Sequence, residues 1–218
     1  MTTPPCVTPT HLAAELGLKP KTLRAWMRRQ GWRGLEEKGA SWCITPEQEA
    51  SARAHWSSNA EHAGLDDIAL IDNLAEWSAW ASFAEVGPLA PRLPGVYQFR
   101  VTGQLMPVYV GMAGERRGMG LRGRLSMYRR GKAATSGFGE AVLDRALADE
   151  AFVARQLDRL REEGPQRTSA WARDAVAWFS PDIRWAVTAD SASALLLEAE
   201  VEKVLRPHGI WNRPRNLD

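Results

Sequence analysis

The sequence predicts an α+β protein: a small three-stranded antiparallel sheet flanked by helices and preceded by a small helical domain. Two short apolar runs at residues 95–97 and 109–111, with a turn glycine at Gly103 between them, have the pattern of a β-hairpin. Residues 181–188 alternate enough to form a third strand. Stretches of helical periodicity before, between and after these strands supply the flanking helices.

Composition places the chain among soluble globular proteins. Its 218 residues are 44% hydrophobic and 25% charged, which leaves room for one or two domains. No run approaches the roughly eighteen apolar residues of a membrane span, and the first residues lack the pattern of a signal peptide. Its two cysteines, Cys6 and Cys43, predict neither a disulfide framework nor a metal site. We therefore expect a cytoplasmic protein without membrane contact.

Positive charge is concentrated in two stretches although the net charge is only +2. Residues 113–132 hold seven cations and one acid, and residues 1–33 hold six cations and one acid. Such patches suggest two places for a polyanion, although solvated helix faces would explain either one taken alone. The candidate nucleic-acid contacts are Lys19, Lys21, Arg24, Arg28, Arg116, Arg117, Arg129 and Arg130.

The first 56 residues predict a small DNA-binding domain. Thr8 or Thr10 can cap a first helix that Gly17 ends, and a second helix begins near Pro20. A short helix, a glycine turn and a basic second helix resemble a helix-turn-helix, although an ordinary helical hairpin has the same pattern. A turn or short wing and a helix starting after Thr45 follow within residues 34–50.

The remaining chain divides into a connector and a second domain. Residues 57–64 are polar and small, as in a linker, and residues 65–84 have helical periodicity. We take residues 57–90 as a helical connector and residues 91–218 as the second domain. The helical stretch 139–180, broken at Gly164-Pro165, is given no chemical role.

Two helices of the second domain carry polar residues in informative positions. In residues 118–130, Arg124 and Tyr128 are four residues apart, so their side chains are neighbours. In the last helix, predicted from Ala192 to Leu205 with Ser191 or Ser193 as its cap, Glu198 falls on an apolar stripe. A carboxylate on a buried face needs a partner or a metal ion, and a structural salt bridge is the alternative role for Glu198.

These features resemble the paired signature of the GIY-YIG nucleases, including members that act in bacterial excision repair and as homing endonucleases. Gly95-Val96-Tyr97 and Tyr109-Val110-Gly111 match the two halves of the signature. Leu121, Arg124 and Tyr128 match the family's arginine helix, and Leu196-Leu197-Glu198 followed by Pro207 and Asn212 matches its glutamate helix. The chain departs from the family in a longer loop between Gly111 and Leu121 and in Met112, where the repair enzymes carry lysine.

The resemblance implies a division of labour among these residues. Glu198 would hold one Mg²⁺ or Mn²⁺ ion, and Arg124 would bind the scissile phosphate. Tyr97 is implied as the general base and Tyr109 as a positioning group, but the sequence does not decide between the two tyrosines. Tyr128 would orient a phosphate or the attacking water, and Asn212 would support the site from behind.

The resulting hypothesis is a metal-dependent DNA endonuclease that its N-terminal module targets to DNA, most simply a duplex. One alternative is a DNA-binding regulator that does not cleave, and another is a nuclease acting on RNA or branched nucleic acid. Neither the recognised sequence nor the oligomeric state follows from the sequence.

Overall fold

The computed structural model describes residues 7–32, 42–135 and 137–213, without the side chains of residues 58–63 and 116. Most of the turn or wing predicted within residues 34–50 therefore lies outside the described residues. The chain forms two compact units, Met1–Leu65 and Asp66–Asp218. The predicted domain limits remain an interpretation of the sequence.

The first unit begins with the two predicted helices, α1 (Pro9–Glu15) and α2 (Pro20–Arg29). The Thr8 hydroxyl caps α1 by accepting a hydrogen bond from the His11 amide at 3.3 Å. Helix α2 buries Leu23, Trp26 and Met27, as its spacing predicted. The helical pair is thus confirmed, while its role in DNA binding stays a prediction.

The third helix, α3 (Pro46–Asp72), differs from the expected connector. It starts in a capping box. The Thr45 hydroxyl accepts a hydrogen bond from the Gln48 amide at 3.3 Å, and the Gln48 side-chain oxygen accepts one from the Thr45 amide at 3.1 Å. The helix then continues through residues 57–64, where a linker was predicted, because that stretch has no proline and propagating a helix is easier than starting one.

Residues 73–80 were predicted helical but leave the helix. The Trp77 indole folds back to donate to the Ile71 carbonyl at 3.0 Å, which satisfies the end of α3. Ser78 then exchanges hydrogen bonds with Trp185: its amide donates to the Trp185 carbonyl, and its hydroxyl accepts from the Trp185 amide. Pairing with a neighbouring strand therefore replaces the expected helical turns.

The second unit contains an antiparallel sheet, which confirms the predicted fold class. Its strands are β1 (Ala81–Ser82), β2 (Gly95–Arg100), β3 (Pro107–Ala113) and β4 (Asp182–Val187), in the order β1-β4-β2-β3. The hairpin and the third strand of the prediction are β2, β3 and β4. The sheet has a fourth strand because the two residues of β1 pair with the start of β4.

Helices surround this sheet on both faces. They are α4 (Phe83–Val86), α5 (Gly120–Arg129), α6 (Gly137–Leu147), α7 (Glu150–Glu163), α8 (Thr168–Phe179) and α9 (Ser191–Leu205). The predicted break at Gly164 separates α7 from α8. The cap of α9 is Asp190, whose carboxylate accepts from the Ser193 amide at 2.7 Å, rather than either predicted serine. Asp190 directly precedes the helix, and its side chain accepts from an amide of the first turn, as N-cap side chains do.

The sheet separates two apolar clusters. On one face Tyr97, Phe99 and Tyr109 pack with residues of α5, α6 and α8. On the other face Val96 and Val110 pack against α9. Successive side chains of β2 and β3 therefore alternate between the two clusters.

Two further expectations bear on the cellular location of the protein. No helix within the described ranges is long and apolar enough to cross a membrane. Cys43 is disulfide-bonded, a bridge that was not expected from a sequence whose two cysteines predict no disulfide framework. Disulfides are rare in cytosolic proteins, so a cytoplasmic location stays a prediction.

Candidate active site

The β2–β3 hairpin brings its two tyrosines to the same face of the sheet. Tyr97 pairs with Gly111, and Phe99 pairs with Tyr109, so the tyrosines are diagonal neighbours on adjacent strands. Their ring centroids lie 6.5 Å apart with planes 23° from parallel. The turn predicted at Gly103 closes this hairpin, with φ of +81° at the glycine.

Gly111 is required by the close approach of the Tyr97 hydroxyl. A Cβ atom on Gly111 would lie 2.4 Å from Tyr97 Oη and 3.0 Å from a ring carbon of Tyr109. Any side chain there would displace the Tyr97 hydroxyl. The glycine of the second sequence motif is therefore part of the geometry that places the tyrosine of the first.

Helix α5 adds an arginine and a third tyrosine to the pair. Tyr97 Oη and Tyr128 Oη are 2.8 Å apart, and Arg124 Nε donates to Tyr97 Oη at 3.3 Å. The Arg124 guanidinium also lies 5.2 Å from the centre of the Tyr128 ring. The four-residue spacing of Arg124 and Tyr128 thus brings both side chains to Tyr97.

Burial and neighbouring charge act on the ionisation of these groups. Burial raises the pKa of Tyr97 well above its usual value, while Arg124 acts to lower it. Burial also raises the pKa of Tyr109; Arg124 opposes this rise and the carboxylate of Glu198 adds to it. Burial acts against the charge on Arg124, but Tyr97 and Tyr128 raise its pKa overall. Both phenols are therefore neutral near pH 7, and Arg124 is a cation.

Glu198 reaches the same place from α9. Its side chain is buried on the predicted apolar stripe, and Glu200 is exposed, as its position on the helix predicted. Glu198 borders a cavity of about 300 Å³ together with Tyr97, Tyr109 and Arg124. Four of the predicted residues, drawn from the hairpin and from two helices, thus line one cavity, and Tyr128 contacts three of them.

A second cavity of about 360 Å³ lies beside the first and shares Tyr109 and Glu198 with it. Its wall contains three further carboxylates, Glu140, Asp144 and Glu202. Glu202 follows Glu198 by one turn of α9 and is buried, which the sequence reading overlooked. The wall also contains Arg145 and Arg213, but its four carboxylates outnumber these two cations. The first cavity, lined by Arg124 and a single carboxylate, is therefore the better anion site.

Asn212 supports the free edge of the sheet. Its side-chain amide donates to the Val110 carbonyl at 2.7 Å, and its side-chain oxygen accepts from the Val110 amide at 3.1 Å. Val110 lies between Tyr109 and Gly111 on the edge strand β3. The side chain therefore takes the place of a neighbouring strand next to two residues of the cavity.

Replacing Asn212 with alanine is expected to destabilise the protein by about 2 kcal/mol, because a buried peptide group left without a partner costs about 1–3 kcal/mol. Urea unfolding measures the change. Asn73→Ala, at an exposed position, is the matched control and should leave the midpoint nearly unchanged. Equal midpoints for the two variants would show that Asn212 does not support the edge.

Gly137 is a second residue that the sequence reading overlooked. It has a φ of +56° and faces the polar cluster directly. A Cβ atom there would lie 2.9 Å from Tyr109 Oη, 3.1 Å from Arg124 Nη2 and 3.1 Å from Tyr128 Oη. The first residue of α6 therefore closes over the three side chains. No local pattern around Gly137 signals this, since the contact joins residues far apart in sequence.

The loop between β3 and α5 is fastened to the start of α9. The Ser191 amide donates to the Glu115 carboxylate at 3.0 Å, the Ser191 hydroxyl also contacts that carboxylate, and the Glu115 amide donates to Ser191 Oγ at 3.3 Å. The hydrogen bond from the Ser191 side chain lowers the pKa of Glu115. This contact fixes the longer loop beside the cavity and, with it, the exposed Arg117.

The predicted nucleic-acid contacts have different environments. Lys19, Lys21 and Arg28 are exposed on the first unit, but Arg24 is half-buried, and its Nε is buried without a hydrogen-bond partner. In the second unit Arg117, Arg129 and Arg130 are exposed. The side chain of Arg116 lies outside the described residues.

The donor set for a metal ion is small. Within the described residues, no group of three or more histidine, cysteine, aspartate or glutamate side chains could hold an ion. A hard divalent cation can nonetheless bind through one carboxylate together with waters and a substrate phosphate. Glu198 in the first cavity fits that arrangement.

Comparison with known proteins adds little to this description. The sequence matches neither a model of a known protein family nor a curated protein. Among solved structures, it is similar to the GIY-YIG N-terminal endonuclease domain of UvrC from Thermotoga maritima, which was crystallised with its catalytic magnesium ion. The identity is 22%, over 60% of this chain and 96% of that one, with a TM-score of 0.31. At that TM-score the similarity carries no weight for function.

Proposed function

We propose that the protein is a metal-dependent DNA endonuclease that hydrolyses phosphodiester bonds at the cavity lined by Tyr97, Tyr109, Arg124 and Glu198. The supporting observation is that an arginine, a carboxylate and two tyrosines line a single cavity of about 300 Å³. Phosphodiester hydrolysis needs these elements: a cation for the phosphate, a ligand for a metal ion and a group that accepts a proton from water.

Arg124 binds the scissile phosphate. Its forked guanidinium matches two phosphate oxygens and offsets the charge that develops as water attacks phosphorus. The contacts with Tyr97 and Tyr128 hold the side chain in place before substrate arrives. Arg124 therefore acts on the transition state without first having to be ordered.

Tyr97 is the better candidate for the general base. Arg124 Nε donates to its hydroxyl oxygen, and the positive charge of Arg124 lowers the pKa of Tyr97 against the effect of burial, which favours a phenolate there. Tyr109 lies near the carboxylate of Glu198, which disfavours a second negative charge. As its phenolate, Tyr97 takes the proton of the attacking water while the water oxygen bonds to phosphorus and the bond from phosphorus to the leaving oxygen breaks. The leaving oxygen then takes a proton from solvent, and Tyr109 holds the water or the phosphate in position.

Glu198 would hold the divalent cation, Mg²⁺ or Mn²⁺. Such an ion, when bound, would neutralise charge on the phosphate and the leaving oxygen, and its positive charge would favour the phenolate of a nearby tyrosine. The buried position of Glu198 on α9 fixes its carboxylate at the cavity wall.

The first unit is proposed to deliver this centre to DNA. Lys21 and Arg28 are exposed on α2, and Lys19 is exposed just before it. Cations on one helix face are suited to phosphate contacts, which supply affinity without reading bases. Lys21→Glu combined with Arg28→Glu should therefore weaken binding to duplex DNA of any sequence.

Incubating the wild-type protein with supercoiled plasmid tests the function. With Mg²⁺ we expect nicked plasmid, and with EDTA none. Binding without cleavage in Mg²⁺ would favour the regulator alternative. Single-stranded DNA, branched DNA and RNA offered alongside the plasmid would reveal a nuclease of another substrate class.

Exchanging each hairpin tyrosine for phenylalanine should separate their roles. Tyr97→Phe is expected to lower single-turnover cleavage by about a hundredfold or more and to abolish the rise of rate with pH, because the base is lost. Since burial raises the pKa of Tyr97, the wild-type rate should still be rising above pH 7. Tyr109→Phe should lower the rate but keep the pH dependence. The reverse outcome would make Tyr109 the base.

Gly137→Ala should disable the site in a protein that stays folded. The new methyl group would press on Tyr109 Oη, Arg124 Nη2 and Tyr128 Oη, so we expect at least a tenfold loss of cleavage, of the order that misplaced catalytic groups cost (about 10²-fold per ångström). Gly209→Ala is the matched control, since Gly209 has a φ of +73° with no atom near its Cβ position. Both variants carry the backbone cost of alanine at a positive φ, and Gly137→Ala adds the crowding at its Cβ atom. Thermal unfolding should therefore show both variants folded, with the larger loss for Gly137→Ala, and the control should remain active. Equal activities would show that the site tolerates the added methyl group.

A further inference from the structure

A pocket away from the catalytic cavity joins an apolar floor to two arginines. It has a volume of about 270 Å³ and lies between α4, the end of α5, and α8. Phe83, Val176 and Ala177 contribute apolar surface, and Arg129 and Arg173 contribute charge. None of the described residues that line it is acidic. Its ligand should therefore combine an apolar face with negative charge.

Two glycines build the pocket. A Cβ atom on Gly131 would lie 1.8 Å from the Ser169 carbonyl oxygen and 2.9 Å from the Arg173 amide nitrogen, so α8 can approach the end of α5 only where there is no side chain. A Cβ atom on Gly87 would lie 3.3 Å from Cδ of Arg129, which packs its stem against that glycine. These close contacts place the two arginines on the same pocket.

Both guanidinium groups are accessible to a ligand. Arg129 and Arg173 are exposed, and each side chain forms part of the pocket wall. Arg173 approaches Asp174 at 3.5 Å, but Asp174 makes a shorter contact, 2.5 Å, with Arg159. Arg159 binds Oδ2 of that carboxylate, whereas Nε and Nη2 of Arg173 both lie 3.5 Å from Oδ1, so Arg173 is held only by long contacts.

We propose that this pocket binds an unpaired nucleotide of the nucleic-acid substrate, with its base against Phe83 and Val176 and its phosphate on Arg129 and Arg173. Pockets for drug-sized ligands start near 300 Å³, so a pocket of about 270 Å³ suits a group the size of one base. Apolar contact with a base and arginine contact with its backbone are the usual means of holding single strands. The nuclease would then prefer substrates with a single-stranded segment.

The position of Arg129 relative to Arg124 supports this substrate class. Five residues of helix separate them by about 7.5 Å along the axis. They also point about 140° apart around the helix at about 100° per residue. A flexible single strand can turn around the end of α5 to reach both, whereas a rigid duplex with paired bases cannot enter the pocket.

Binding of full-length protein to fluorescent oligonucleotides in EDTA tests the inference. The probes are a single-stranded DNA, a forked duplex and a blunt duplex of related sequence. Arg173→Ala removes charge from the pocket, and Ala177→Leu fills it from an exposed helical position without changing charge. Arg155→Ala, exposed on α7, is the control for lost charge.

Both pocket variants should raise the Kd for the single strand and the fork by about fivefold or more, in line with the loss of one base contact. They should change the Kd for blunt duplex less than about twofold, and Arg155→Ala should change none of the three. An unchanged Kd for single strand in Ala177→Leu, or an equal loss on all three probes in Arg173→Ala, would overturn the inference. So would a wild type that binds none of the probes.

The inference rests on the proposed function for its substrate class, yet the two can fail separately. Binding in EDTA does not require cleavage. Wild-type protein that discriminates between the probes but never cleaves would contradict the nuclease and leave the pocket standing. Wild-type protein that cleaves DNA but does not discriminate between the probes would support the nuclease and contradict the pocket.

Discussion

Glu198→Gln is expected to lower Mg²⁺-dependent cleavage by about a thousandfold or more, the largest effect of any single substitution. Glutamine keeps the size of the side chain but removes the negative charge that would hold the cation. Without the cation, the phosphate and the leaving oxygen lose a stabilising charge worth several kcal/mol. Single-turnover cleavage of a labelled duplex, with Mg²⁺ in excess, measures the loss.

The control for Glu198→Gln lies on the same helix. Glu200 is exposed and points away from the cavity, so Glu200→Gln should cleave at the wild-type rate. Thermal unfolding of both variants separates lost chemistry from lost folding. Equal rates for the two variants would mean that Glu198 holds no catalytic ion and has a structural role.

Arg124→Lys should lower cleavage by about a hundredfold to a thousandfold, the range for removing one preorganised group from a transition state. Lysine keeps the positive charge but loses the fork that matches two phosphate oxygens. It also loses the Nε atom that donates to Tyr97 Oη at 3.3 Å. The substitution therefore weakens both phosphate binding and the support for a Tyr97 phenolate.

Arg130→Lys is the matched control for this change. Arg130 follows the same helix, is exposed, and donates from its Nε to the Ser126 carbonyl at 3.2 Å. Cleavage by Arg130→Lys should stay within about twofold of wild type, as expected for a surface phosphate contact whose charge is kept. A rate for Arg124→Lys that matches this control would remove Arg124 from the reaction.

The sequence was most informative where a pattern is local. Gly103 between two apolar runs predicted the hairpin, and the stripe from Ala194 to Leu205 predicted that Glu198 would be buried. Both patterns report on residues within one element, where spacing alone sets the direction of a side chain. The convergence of the hairpin, α5 and α9 on one cavity was expected from the family resemblance rather than from spacing.

Contacts between residues far apart in the chain were not predicted from the sequence. Gly137 lies over the tyrosines, and the absence of a side chain at Gly131 lets α8 pack against the end of α5. Both contacts join different elements, so no short stretch of sequence predicts them. The strand β1 and the non-helical residues 73–80 depend on pairing with β4, 100 or more residues away. The same limit applies to Glu202, whose burial depends on how α9 faces its neighbours.

The central claim is that this cavity hydrolyses phosphodiester bonds. Cleavage in ¹⁸O-labelled water, followed by mass analysis of the product ends, tests it most directly. We predict that wild-type protein with Mg²⁺ places one labelled oxygen on the new terminal phosphate, and that Glu198→Gln prepared in the same way yields no such product. Labelled product in equal amount from both proteins, or none from the wild type, would contradict the claim.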